Sequence, residues 1–356
     1  MIVFGIIGSG WRAEFFLRIA QELPDRFKVS GVVTRSEASG EKIQEKFGVP
    51  TYRSMDGLLE AGKIDFAVVS VPWAIAPVRT KELVERGVAV LTETPPAPDL
   101  ASLIVINQLI QQGAKIQVAE QYHLHPLHAA RIAIANSGKL GEISQVQISE
   151  CHGYHGISLM RKLLGIGFEN ATITASKITT PLIDGPSRNG GPVEEKLVQS
   201  EQVIASFDFG GKYGLYDFTD DQYFSWIRGK RLLVRGIRGE ITGMSVRYLK
   251  DFQTPIEFEL KRVNLGEYGN LEGMGLKGIL AGEEWIYQNP FMPGKLSDDE
   301  IGVAACLENM YRYTQTGQDF YSLAEGSQDQ YLSLMMDEAV RTGEKVRTVR
   351  QPWAIN

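Results

Sequence analysis

Two groups of residues in this chain have types and spacings that could do chemistry. The first is Gly8-Ser9-Gly10-Trp11-Arg12-Ala13, a Gly-x-Gly-x-x-Ala run. The first glycine of such a run allows a tight turn, the second lets the backbone approach a pyrophosphate, and the small third residue lets a helix pack closely on a sheet. The helix that follows points the positive end of its dipole at the phosphates. The second group is the complete histidine content: His123, His125, His128, His152 and His155, all between positions 123 and 155 of a 356-residue chain. An imidazole exchanges a proton near neutral pH, so a cluster of them suggests acid–base chemistry or a metal site shared with Cys151, Glu120 or Glu150. The spacing His-x-His-x-x-His matches no standard metal motif, and no metal is expected.

The glycine run has meaning only in context. Short apolar, β-branched runs at residues 2–7, 29–33, 66–71, 88–91 and 116–119 alternate with amphipathic segments at 13–22, 39–47, 55–60, 77–86 and 100–112. Strand runs that are apolar throughout, separated by helices, read as βαβ units on a parallel sheet covered on both faces. The glycine run thus sits at the first strand-to-helix turn of a Rossmann-type domain over residues 1–121. From residue 122 the pattern changes. A helix at 126–137 is followed by strand-like runs at 143–149, 172–178, 202–209, 212–217, 231–236 and 256–262 with few long helices between them. That favours an open, mostly antiparallel sheet in a second α/β domain over 122–356. Residues 183–194 read as a loop, and helices return at 298–316 and 327–342, placed to pack back toward the first domain.

Composition narrows the function. With 37 Lys plus Arg against 43 Asp plus Glu, the formal charge is −6. A general nucleic-acid binder would carry a basic surplus, so nucleic acid is not expected as a partner. No apolar run reaches the ~18 residues that span a bilayer, so no membrane partner is expected. Two cysteines, Cys151 and Cys306, make no disulfide framework and suit a reducing compartment. A cytoplasmic protein is the expectation.

The second strand run ends Val33-Thr34-Arg35-Ser36. An NAD-specific domain usually carries there an acidic residue that binds the ribose 2′-hydroxyl. Thr34 instead removes repulsion against a 2′-phosphate. Arg35 and Ser36 are placed to hold one, with Arg12 as a possible second cation. NADP is therefore favoured over NAD. The competing reading leaves Arg35 solvated and gives the ribose to Glu37.

Several later segments resemble the glucose–fructose oxidoreductase/inositol dehydrogenase/rhizopine-catabolism (Gfo/Idh/MocA) family over nearly the whole chain. They are Val68-Val69-Ser70-Val71-Pro72, Glu85 through Thr92-Glu93-Thr94-Pro95, Glu120-Gln121-Tyr122-His123-Leu124-His125-Pro126, and the ending Glu338-Ala339-Val340-Arg341-Thr342-Gly343. The resemblance implies hydride transfer to or from a carbinol or keto carbon of a sugar or cyclitol. It also implies dimers or tetramers through the open sheet, and cofactor contacts from Ser70, Val71, Pro72, Trp73, Glu93, Thr94 and Gln121. Two of the family's three catalytic positions differ here. Thr94 stands at the lysine of Glu-Lys-Pro, and Cys151 at the aspartate of Asp-x-Gly-x-His, which is here Cys151-His152-Gly153-Tyr154-His155.

Only His155 keeps a matching catalytic position, so it is the expected general acid/base, with His152, His123 and Tyr122 orienting the substrate. Cys151 needs a cationic neighbour to ionise. Tyr154 points away if its segment is extended. His128 reads as a helix-surface residue. Tyr213, Tyr216, Tyr223, Phe224 and Trp226 read as sheet core or interface. Two alternatives stay open: a nucleotide-binding sensor without turnover, and a His-based, possibly metal-assisted lyase or hydrolase.

Overall fold

The computed structural model describes residues 1–266 and 275–354. The first sheet is built from β1 (Ile2–Ile7), β2 (Phe27–Val33), β3 (Thr51–Tyr52), β4 (Phe66–Val69), β5 (Val90–Thr92) and β6 (Ile116–Val118), in the order β3-β2-β1-β4-β5-β6. All its pairings are parallel. The intervening helices are α1 (Ala13–Glu22), α2 (Glu37–Phe47), α3 (Met55–Glu60), α4 (Ala76–Glu85) and α5 (Leu100–Gln111). The order reverses between β1 and β4, and ligands of doubly wound sheets bind at such a switch point, outside the strands' C-terminal ends. The expected elements occur to within a few residues, and only the two-residue β3 was not anticipated.

The second half starts with α6 (Pro126–Asn136), β7 (Ile143–Ser149) and α7 (Gly153–Leu164). The strands β8 (Thr172–Ile183), β9 (Leu197–Asp208), β10 (Tyr213–Thr219), β11 (Arg231–Gly236), β12 (Gly239–Thr242), β13 (Ser245–Leu249), β14 (Pro255–Leu265), β15 (Gly275–Ala281) and β16 (Glu284–Gln288) follow, then α8 (Asp298–Thr316), α9 (Leu323–Thr342) and β17 (Val346–Arg347). Eleven strands form one sheet, ordered β16-β15-β14-β13-β12-β11-β7-β10-β9-β8-β17. Only β10 and β7 pair in parallel. The sheet is mostly antiparallel, as expected.

Two differences matter for the site. Residues 153–164 are a helix, not an extended segment. Gly165 closes it in the left-handed conformation at φ 64°, and Ile157, Met160 and Leu164 recur at helical spacing inside the core. Nearly every residue of α7 is buried, its polar ones included. Second, β8 and β9 pair over twelve residues each, from Thr172↔Asp208 to Ile183↔Leu197. The hairpin therefore reaches further than expected and carries its loop, residues 184–196, to the rim of the first sheet's switch point.

Helix α8 crosses the boundary drawn at residue 121. Ile301, Val303, Ala304, Leu307 and Met310 share one core cluster with Phe4, Phe16 and Leu17. Among the described residues no helix is long and apolar enough to cross a membrane.

Candidate active site

The turn after β1 is shaped by two glycines. Gly8 has φ 111°, and a Cβ there would lie 2.0 Å from the Ser70 carbonyl oxygen, so only glycine lets the β1 and β4 turns touch. A Cβ on Gly10 would meet nothing within 4 Å. Its open side faces a cavity of about 940 Å³ that runs from the end of β2 to α7. Ala13, the first residue of α1, is fully buried.

Seventeen expected site residues line this cavity: Gly8, Ser9, Gly10, Trp11, Arg12, Thr34, Arg35, Ser70, Val71, Pro72, Trp73, Glu93, Thr94, Gln121, Tyr122, His152 and His155. Ser36 does not. It caps α2, its hydroxyl accepting from the Ser39 amide at 3.2 Å, and Ser39 lines the cavity in its place. His123 does not either. Its ring packs 5.0 Å from Tyr321, and its buried Nδ1 has no hydrogen-bond partner. Neither residue is placed for the contact expected of it.

At the β2 end, Arg35 and Arg53 flank Thr34, and Arg53 Nη1 donates to Thr34 Oγ1 at 2.5 Å. Glu37 is not among the lining residues, whose only carboxylates are Glu93 and Asp299 at the other end. Arg12 is committed there. Its Nε donates to Glu93 at 3.1 Å and its Nη1 to Asp299 at 2.9 Å, so it is not the second cation expected beside Arg35. His125 Nε2 bonds Asp299 Oδ1 at 3.0 Å, and Gln121 Nε2 donates to the same oxygen at 3.3 Å. The Arg12 and His125 partners hold the Asp299 carboxyl well below its ordinary range. One donor of this knot, Arg12 Nη2, and one acceptor, Gln121 Oε1, are buried without partners. A dinucleotide fits this space: an open glycine turn, a volume of suitable size, and unpaired polar atoms on its wall.

At the inner end His155 stands on the first turn of α7. Its Nδ1 lies 2.6 Å from Glu120 Oε2, and Glu120 is fully buried just past β6. Burial pushes the Glu120 carboxyl up to about 8, and burial pushes His155 down to about 3. Both shifts have one cause: burial disfavours charge on either partner of this contact. With Nδ1 engaged, Nε2 is the nitrogen left to act. Tyr122 packs its ring 4.4 Å from the His155 ring and 4.6 Å from that of His125. His152 caps α7, stands edge-on to His155 at 4.9 Å, and is lowered to about 3 by burial. Its amide donates to the Tyr223 hydroxyl at 2.9 Å.

Other expectations need correction. Cys151 is fully buried, and burial raises its thiol well above the usual range, so it is no thiolate. His128 lies inside, its Nδ1 3.2 Å from Arg131 Nη1, which also donates to Glu150 at 2.9 Å. Tyr223 lines the cavity instead of serving as interface, while Phe224 and Trp226 are exposed. Among the described residues no three or more His, Cys, Asp or Glu are grouped to hold a metal.

The sequence reading missed Asp299, Arg53 and Arg188 and underused Glu120 and His125. Arg188, in the 184–196 loop, sits 3.9 Å over the Trp11 ring. Only Glu120 had a usable signal: an acid directly after a Rossmann strand lies at the ligand-binding edge.

Residues 2–121 match the profile of an oxidoreductase family with an NAD-binding Rossmann fold. No curated protein matches the chain in sequence. Among solved structures, an NAD-binding oxidoreductase from Klebsiella pneumoniae is similar in fold at TM-score 0.69 and 18% identity, over 98% of this chain and 100% of that one. A putative myo-inositol dehydrogenase from Sinorhizobium meliloti 1021 gives 0.65 and 17%, over 97% and 99%. A biliverdin reductase from Synechocystis, solved with biliverdin and NADP+, gives 0.63 and 16%, over 96% and 99%.

Proposed function

We propose that this chain, whose residues 2–121 match an oxidoreductase family with an NAD-binding Rossmann fold, is an NAD(P)-dependent oxidoreductase of the Gfo/Idh/MocA type that moves a hydride to or from the carbinol or keto carbon of a sugar, cyclitol or related small molecule, with NADP preferred. The observation that carries the reading is the His155–Glu120 pair on the wall of the cofactor-sized cavity. The bound nicotinamide supplies the hydride acceptor or donor. The chain's residues do the rest. Gly8, Ser9, Gly10 and the α1 N-terminus cradle the pyrophosphate, and Ser70, Val71, Pro72, Trp73, Glu93, Thr94 and Gln121 bound the nicotinamide half. Arg35 and Arg53 take the 2′-phosphate.

For oxidation, His155 Nε2 accepts the hydroxyl proton while Glu120 fixes the ring through Nδ1, the division of labour of a carboxylate-oriented histidine base. Glu120 thereby takes the place left by the Thr94 and Cys151 replacements. His152, Tyr122 and Tyr223 surround the substrate's position with neutral donors and acceptors, which suits hydroxyls. In its cytoplasmic setting, supported by two free and buried cysteines, the protein assembles as a homodimer or homotetramer through the sheet face that carries Ile178 and Ile204, both about two-fifths exposed.

The test is a panel of polyols, sugars and cyclitols with NADP+, read as appearance of reduced nicotinamide. One substrate at least turns over, and His155→Ala lowers kcat by ~10²- to 10⁴-fold. Thr94 at the lysine position favours a second reading, a sensor that binds nucleotide without turnover. Tight NADPH binding with no hydride exchange on any panel member establishes that reading instead.

A further inference from the structure

The loop between β8 and β9 brings to the cavity a cation that neither the cofactor contacts nor the proton chemistry uses. Arg188 and Asn189 are the two central residues of a tight turn. The Ser187 amide donates to the Gly190 carbonyl at 2.9 Å, the Gly190 amide donates back at 3.1 Å, and the Asn189 amide donates to Ser187 Oγ at 3.1 Å. The loop lies against the segment that follows Tyr223. A Cβ on Gly191 would sit 3.6 Å from the Trp226 side chain, and one on Gly185 would sit 4.0 Å from Ser225 Cα. From there the Arg188 guanidinium reaches the Trp11 ring, 3.9 Å from its centre, and lines the cavity together with His152 and Tyr223.

Among the described residues no acceptor meets the Arg188 N–H donors, and no carboxylate pairs with it, the loop's own Asp184, Glu194 and Glu195 included. The other arginines on the cavity wall are engaged or distant. Arg12 holds Glu93 and Asp299, Arg79 holds Glu82, and Arg35 and Arg53 stand at the β2 end. The two carboxylates of the wall are therefore already paired. Around the substrate's position burial holds His152 neutral, and the Arg188 charge adds to that effect. Burial also keeps the Tyr122 and Tyr223 hydroxyls protonated. Lys230 Nζ, 5.6 Å over the Tyr223 ring, is a second cation on that side, while the exposed acid Asp220 is not on the cavity wall. The substrate end thus carries positive charge without a counterion.

A guanidinium offers its N–H donors in a rigid fork that matches two oxygens of a carboxylate or phosphate. Contact with an indole fixes that fork before a ligand arrives, so less freedom is lost on binding. The cofactor's pyrophosphate has its own donors in the Gly8–Gly10 turn and the α1 N-terminus. We propose that Arg188 binds an oxyanion on the substrate, and that the substrate is an acidic sugar or cyclitol, a carboxylate or a phosphate ester, instead of a neutral polyol. Its hydroxyls meet His152, Tyr122 and Tyr223, and its anionic group lies on the Trp11 side of the cavity.

The substrate's position rests on the hydride-transfer reading, but the oxyanion site is tested by binding and needs no turnover. Calorimetric titration of the protein saturated with NADP+ compares matched pairs: D-glucuronate with D-glucose, D-gluconate with D-glucitol, and myo-inositol monophosphate with myo-inositol. At least one acid binds about tenfold or more tighter than its neutral parent, and added salt narrows the gap. In Arg188→Gln the ratio of acid to parent affinity falls about tenfold, and Arg188→Lys restores part of it, because lysine keeps the charge without the fork. Arg188 is exposed, so neither substitution disturbs the core. If no acid binds more tightly than its parent, the proposal is overturned. So it is by an unchanged ratio in Arg188→Gln, or by a loss of NADP+ affinity in that variant as large as the loss for the acid, which gives the arginine to the pyrophosphate. An acid that binds through Arg188 yet exchanges no hydride upholds the oxyanion site and sinks the hydride-transfer reading. Turnover of the neutral parents with no preference for the acids does the reverse.

Discussion

The proposed preference for NADP can be tested through Arg35 and Arg53. Both are exposed at the C-terminal end of the β2 edge, on either side of Thr34, with no lining carboxylate nearby. A hydrogen bond to a charged group contributes about 1.5–3 kcal/mol. Exposure and screening bring each arginine's share down to about 1–2 kcal/mol. Arg35→Ala and Arg53→Ala should then each raise the NADPH dissociation constant by about 5- to 30-fold. The double variant should lose less than the sum, because both arginines neutralise the same phosphate. NADH lacks that phosphate, so its constant should move by less than about twofold. Protein or nicotinamide fluorescence titration measures both ligands, and the NADPH term should shrink with added salt. Equal losses for NADPH and NADH, or tighter NADH binding by the unmodified protein, would refute the assignment of these arginines.

Other consequences follow from the same geometry. The folded-state value of Glu120 lies above its ordinary value, so its contribution to stability is full below about pH 4.5 and is lost as pH rises toward about 8. Melting temperature should fall over that window in the unmodified protein and fall less in Glu120→Gln; parallel curves would contradict it. Asp299→Ala removes one of the two carboxylates on buried Arg12 and the partner of His125, and should cost about 1.5–3 kcal/mol in denaturant unfolding while weakening nucleotide binding, since the arginine keeps only Glu93. Gly8→Ala forces a Cβ into the Ser70 carbonyl at a φ that only glycine tolerates. Loss of nucleotide binding and about 3 kcal/mol or more of stability is expected, read by calorimetry and titration.

Local pattern made the first domain legible because its signals are local: apolar runs, helical periods and a glycine turn within thirteen residues of the start. The second domain was legible as a class, but α7 was not. Its polar residues His155, Ser158, Arg161 and Lys162 recur at helical spacing, but most of them are buried in the core instead of facing solvent, and His155 sits in a catalytic motif that drew the segment another way. The site was legible where chemistry lies in the turns, as at Gly8, Gly10 and His155. Asp299 escaped because it comes from α8, nearly three hundred residues from the Arg12 it holds. Glu120 was visible as an acid at a strand end, yet its role depends on α7 delivering His155 to it, which no spacing shows. His123 and Ser36 sit beside site residues in sequence but turn elsewhere, one onto Tyr321 and the other into a helix cap.

The central claim is that the cavity presents a bound nicotinamide to His155. A crystal structure of the protein soaked with NADP+ tests it most directly. The account predicts the pyrophosphate on the Gly8–Gly10 turn, the 2′-phosphate between Arg35 and Arg53, and the reactive face of the ring opening onto a space bounded by His155 Nε2, His152 and Tyr223. A nicotinamide turned away from His155, or a cofactor seated without contact to the glycine turn, would contradict it.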